Sequence, residues 1–124
     1  MQQDTELMLC KAGIDAWRAA FNEQDAVGCA AQYLENTVME ARPFGVFEGR
    51  EAIQAFWQNI IDQGFKEVAY TDVTWTKVDE GGYLLSAKWT MNKAFGVIHS
   101  EHWVVDEDGK ARLKSDLFEV LGER

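Results

Sequence analysis

The sequence predicts an α+β fold in which three N-terminal helices and a short strand pack on an antiparallel sheet. Apolar residues follow a helical period through the first half of the chain, and from Glu67 onward the texture changes to β-branched and aromatic runs broken by turn signals. Helices first and a strand meander afterwards place the helices on one face of the sheet, whereas strict alternation would have built a βαβ fold. No Gly-rich nucleotide fingerprint, repeat, linker or low-complexity tract is present, so residues 1–124 are read as one domain.

Leu7, Cys10, Ile14, Trp17 and Phe21 recur at spacings of three and four and form one stripe of the first helix. Asn22 to Asp25 breaks the pattern, and Asp25 caps a shorter second helix carrying Val27, Ala30, Ala31 and Leu34, which Tyr33 ends. Thr37 to Arg42 reads as a short strand stopped by Pro43, because proline has no N–H for a ladder. After a loop from Phe44 to Gly49, Ile53, Phe56, Trp57, Ile60 and Ile61 define the third helix, and Gly64 suits the left-handed position beyond it. Four antiparallel strands follow, turning at Asp79 to Gly82, around Asn92 to Gly96, and at Asp106 to Gly109.

Composition narrows the function. Twelve basic against 21 acidic residues give a formal net charge of -9. Scattered Lys and Arg in an acidic chain oppose nucleic acid and anionic lipid, both of which reward clustered cations. Met1 to Glu6 does not read as a leader and no apolar run approaches spanning length. Cys10 and Cys29 lie in apolar, Ala-rich stretches without a CxxC or metal-ligand spacing, so they read as small core hydrophobes of a cytoplasmic protein.

From Tyr33 to Trp57 the chain reads YLENTVMEARPFGVFEGREAIQAFW. With Pro43-Phe44-Gly45 and Gly49-Arg50-Glu51-Ala52-Ile53 as its most telling pieces, this segment resembles the ketosteroid isomerases and SnoaL-type polyketide cyclases of the nuclear-transport-factor-2-like superfamily. The resemblance extends more weakly over nearly the whole chain. It implies a strongly curved, cone-like sheet, a cystatin-like roll, enclosing a pocket for a small molecule. It also implies positions for the isomerase residues. The proton-donating tyrosine falls at Trp17, whose indole donates a hydrogen bond but is no useful acid. The general base falls at Arg42, which stays protonated, with Glu40 two residues earlier on the same side of the strand. The second, protonated aspartate falls at Glu101, so a carboxyl group survives there.

A two-residue turn at Asp108-Gly109 sets Glu107 against Lys110, Glu101 against Asp116, Trp103 against Lys114 and His99 against Phe118, with those last six side chains on one face. A three-residue loop instead puts Ser100 opposite Asp116 and His102 opposite Lys114. The family resemblance favours the first register. Two carboxyl groups facing each other in a partly dry pocket cannot both ionise cheaply, which makes Glu101 and Asp116 an acid/base pair, with Arg42 or Lys114 orienting an anionic oxygen. The alternative is a solvated face on which these acids pair with Lys114 and Arg112.

His99 and His102 stand an odd number apart on a strand and point to opposite faces, and no third ligand lies at usable spacing, so no metal is assigned. His99 ranks above His102 as a catalytic candidate because it shares the side of Glu101, although the resemblance gives SnoaL-type cyclases a histidine and an acid on these strands, with Asp116 or Glu119 as the acid. Trp17, Tyr33, Phe56, Trp89, Trp103 and Phe118, with Lys114, are the candidate ligand-binding residues.

Two functions remain. One is proton transfer on a small apolar carbonyl compound, isomerase, cyclase or hydratase in type, with no redox cofactor; the other is a non-catalytic ligand-binding or dimerisation domain. Loss of the isomerase tyrosine and base favours the second. The strands from Val68 to Val78 and Tyr83 to Met91 carry apolar groups on both sides, Val73 and Trp75 against Tyr70 and Thr74, which predicts a homodimer covering the side turned away from the helices.

Overall fold

The first apolar stripe forms α1, Thr5–Asn22, which buries Cys10, Ile14, Trp17 and Phe21. The computed structural model describes residues 5–124, so Met1–Asp4 of the segment read above as no leader lies outside the described residues. Asp25 caps α2, Ala26–Ala31, by accepting the Gly28 N–H at 3.0 Å. The helix stops at Ala31, earlier than its apolar pattern suggests, and Tyr33 opens β1, Tyr33–Arg42. Tertiary bonds explain the early stop: Leu113 N–H donates to Gln32 O at 2.7 Å and the Thr37 hydroxyl to Leu113 O, fixing this segment beside the last strand.

The stretch after Pro43 is more than a loop. Gly45–Glu48 forms β2, which folds back antiparallel on β1. Helix α3, Arg50–Asp62, buries Ile53, Phe56, Trp57 and Ile61, and Gly64 beyond it takes φ 89°, a region costly for any residue with a Cβ.

Strands β3 (Ala69–Lys77), β4 (Tyr83–Thr90), β5 (Ala94–Val105) and β6 (Ala111–Glu123) complete a six-stranded sheet in the order β2-β1-β6-β5-β4-β3. The meander is antiparallel throughout, while β1 joins β6 in parallel. Register shifts within every pairing of the meander bend the sheet around the helices, since each extra residue adds local twist.

One shift moves a predicted pair of faces. Strict alternation groups Tyr70 with Thr74, but between Thr71 and Thr74 the register slips, so Tyr70 faces Trp89 and Trp75 faces Leu85, and both aromatic rings turn inward. The core lies between this concave face and the helices. There the Trp103 indole rests on Gly13 of α1, where a Cβ would stand 2.6 Å from its ring.

Candidate functional site

The β5–β6 hairpin closes differently from the two-residue turn. Asp106 N–H donates to Lys110 O and Gly109 N–H to Asp106 O, while the Asp106 carboxylate accepts the Asp108 and Lys110 N–H groups at 2.9 and 3.1 Å. This carboxylate stabilises a three-residue loop, and Val105 pairs with Ala111. Lys114 is then an extra residue on β6: Trp103 faces Leu113, His102 faces Ser115, and Glu101 is restored opposite Asp116. His99 is a second extra residue, on β5, because Ile98 faces Phe118 and Ser100 faces Leu117.

Both bulges send their residues outward. Lys114 is exposed near Glu80 at 3.9 Å, and His99 is exposed with Nε2 2.9 Å from Glu119 Oε1. Neither joins the carboxyl groups, contrary to the shared face expected for them. Arg42 and Glu40 do lie on one side, but it is the outer one, where the guanidinium binds the Glu40 carboxylate. They are therefore not part of this site either; Met39 and Ala41 take the inward positions on β1. His102 is buried on the opposite face from Glu101, its Nε2 2.8 Å from Gly81 O.

Glu101 and Asp116 remain, 8% and 4% exposed on the concave face. Each has one oxygen held by a buried donor. Trp103 Nε1 donates to Glu101 Oε1 at 2.9 Å, and Tyr33 Oη donates to Asp116 Oδ2 at 2.9 Å while accepting from Trp57 Nε1 at 3.2 Å. Among the described residues neither carboxyl group forms an ion pair. Burial pushes Asp116 up to about 7 against the opposing Tyr33 bond. Burial, and then the charge of Asp116, lifts Glu101 well above its usual range, opposed by the Trp103 bond. Both groups are therefore held toward their protonated forms, and two carboxyl groups this buried and facing each other titrate as a pair and do not readily ionise together.

A cavity of about 380 Å³ opens between α3 and the sheet, lined by Phe56, Trp57, Phe65, Trp89, Lys93 and Phe118 among others. Behind it a chamber of about 30 Å³ is lined by Glu101 and Asp116 together with Trp17, Tyr70, Trp57, Trp89, Met91 and Phe118. Trp57, Trp89, Met91 and Phe118 belong to both, and Phe118 stacks on Trp57 at 5.6 Å between ring centroids and meets Trp89 edge-on at 6.4 Å.

Of the predicted ligand-binding residues, Trp17, Phe56, Trp89 and Phe118 line these spaces. Tyr33 and Trp103 do not; they are fully buried behind the carboxyl groups and position them. Trp57, Tyr70, Phe65 and Met91 also line these spaces and are not among the candidates, Trp57 because its apolar helix stripe reads as core. Strict alternation groups Tyr70 with Thr74, and the register shift between Thr71 and Thr74 is what turns it inward. Among the described residues no three His, Cys, Asp or Glu side chains gather as a metal site, and no helix is long and apolar enough to cross a membrane.

The model of the SnoaL-like domain family matches residues 14–112. The chain belongs to the SnoaL-like domain family. Its place in the nuclear-transport-factor-2-like superfamily agrees with its fold. Solved structures similar to this SnoaL-like chain include Aln2 from a Streptomyces species, with TM-score 0.81 and 18% identity over 97% of this chain and 94% of that one. A ketosteroid isomerase-like protein from Erwinia carotovora atroseptica has TM-score 0.79 and 12% identity over 94% and 97%. A cystatin-like-fold protein of unknown function from Nostoc punctiforme has TM-score 0.77 and 10% identity over 92% and 90%. At these identities the likeness is one of fold. A search of curated protein sequences found no match.

Proposed function

We propose that this SnoaL-like domain is an acid–base enzyme acting on a small, largely apolar compound with a carbonyl or enolisable group. The observation that carries this reading is the buried Glu101–Asp116 pair at the inner end of an aromatic cavity. In this reading one carboxyl group of the pair, Asp116, takes the substrate proton, and the other, Glu101, which burial and the charge of Asp116 hold toward its protonated form, gives a proton to the developing enolate oxygen. Exchange of substrate C–H for solvent deuterium, screened over steroids, aromatic polyketides, small keto acids and lactones, tests the reading. Turnover lost in Glu101→Gln and in Asp116→Asn supports it. Exchange that survives both substitutions would sink it and leave the non-catalytic ligand-binding domain.

We also infer that a second copy covers the outer sheet face. Val38, Phe95 and Leu121 are exposed there beside both signs of charge, Arg42 with Glu40 and His99 with Glu119, a mixture that a two-fold axis can make self-complementary. Light scattering should give twice the chain mass at micromolar concentration; a monomer would contradict the inference.

A further inference from the structure

The two ends of the aromatic cavity differ in charge. The inner end adjoins the buried Glu101 and Asp116, whereas the charged side chains lining the outer cavity are Lys93, Glu123 and Arg124, all exposed. Among the described residues neither Lys93 nor Arg124 forms an ion pair.

Both cations are held in place without being neutralised. Lys93 Nζ donates to Gln63 O at 2.7 Å, at the carbonyl end of α3, and stands 5.6 Å over the ring of Phe65, which lines the same cavity. Arg124, just beyond β6, donates from Nη1 to Met91 O at 2.8 Å and from its backbone N–H to Lys93 O at 2.8 Å. Asn92, beside Lys93, ties the turn between β4 and β5 to the segment after α3: its amide donates to Gly64 O and accepts the Lys66 N–H, both at 2.9 Å. The mouth of the cavity is thus braced before any ligand arrives. An ammonium group has three donors and a guanidinium five, so each cation keeps donors to spare. A helix C-terminus accounts for Lys93 alone; nothing of the kind accounts for Arg124 at the same rim.

The rim selects an anion, which is otherwise disfavoured by a chain of formal net charge -9. Glu123 beside the cations opposes a doubly charged group such as a phosphate, and a carboxylate fits better. At the inner end a carboxylate would lose its water next to two buried carboxyl groups, so the charge stays at the mouth and the apolar part enters first. Short keto acids cannot span the cavity past Trp57, Trp89 and Phe118 with their charge still at the rim.

We infer that the Lys93–Arg124 rim binds a carboxylate, and that the ligand is an amphiphilic acid whose flat apolar body fills the aromatic cavity. The carbonyl then lies at the end of that body remote from the carboxylate, a placement that rests on the acid–base site proposed above.

Calorimetric titration with naphthoate and with naphthamide, which has nearly the same shape and no charge, tests the rim. Naphthoate should bind about tenfold more tightly at low ionic strength, and the margin should shrink as salt is added, because both contacts are solvent-exposed. Lys93→Gln and Arg124→Gln should each reduce the margin several-fold and the double variant should remove it, with naphthamide affinity retained as the sign of an intact cavity. Should the double variant fail to fold, the salt dependence of the unaltered protein decides. Equal affinities, no binding of naphthoate, or a margin that neither salt nor the substitutions alter would overturn the inference, and tighter binding of naphthyl phosphate would overturn the carboxylate. Deuterium exchange confined to compounds without a remote carboxylate sinks this ligand class and leaves the acid–base site standing, whereas a naphthoate preference without exchange on any substrate sinks the enzyme reading and leaves the rim.

Discussion

Tyr33 Oη stands 2.9 Å from Asp116 Oδ2 and gives its proton to it, because the Trp57 indole already occupies the acceptor side of the same hydroxyl at 3.2 Å. A donor of fixed direction favours the ionised carboxylate, and it is what opposes burial at Asp116. Tyr33→Phe should therefore move the Asp116 titration above about 7, followed by carbon NMR of the carboxyl groups. It should also destabilise the fold by about 1–3 kcal/mol, since the Trp57 N–H loses its partner. An unchanged titration would show that the hydroxyl does not govern Asp116.

Stability should depend on pH through the same residue, with a sign opposite to that of a salt-bridged acid. Asp116 titrates near 7 when folded and near 3.8 when unfolded, so between those values the folded state binds more protons. Its contribution is fully favourable below about 4 and is lost as pH rises toward 7, on the order of 4 kcal/mol in all. Asp116→Asn should remove that share of the fall and leave the share of Glu101, which burial raises in the same direction. Thermal unfolding of both proteins from pH 4.5 to 8 checks it, and parallel curves would refute it.

Phe118 separates the two spaces by its contacts with Trp57 and Trp89. Phe118→Ala should join them, cost about 3–5 kcal/mol of stability, and let benzene or xenon bind next to Glu101. Denaturant unfolding and a xenon-pressurised crystal would show both effects; an empty or collapsed cavity would contradict the partition.

The outward course of Arg42, Glu40 and His99 predicts silence at the site. Arg42→Ala and His99→Ala should leave small-molecule affinity and any turnover unchanged, because both side chains are exposed across the sheet from the carboxyl groups. A loss of affinity in either variant, with the folded state intact by circular dichroism, would return them to the site.

The local sequence determined most of the elements, though not β2 or the end of α2. Periodicity gave the three helices, Asp25 and Gly64 marked where two of them begin and end, and the turn residues divided the meander. Such features are set by neighbours a few residues away, so they are legible without a fold. The pairing of Glu101 with Asp116 was also expected, though for a reason that did not hold: the Asp106 carboxylate selects a three-residue loop, and only the bulge at Lys114 restores the register. A bulge changes every face beyond it, and its place depends on how a curved sheet closes over helices, which no local pattern encodes. The same cause turned His99 and Lys114 out and Tyr70 in. It also gave Tyr33, Trp57 and Trp103 their tasks, for the sequence marked them only as large aromatic groups, and tertiary packing decided which polar edge would meet which carboxyl oxygen.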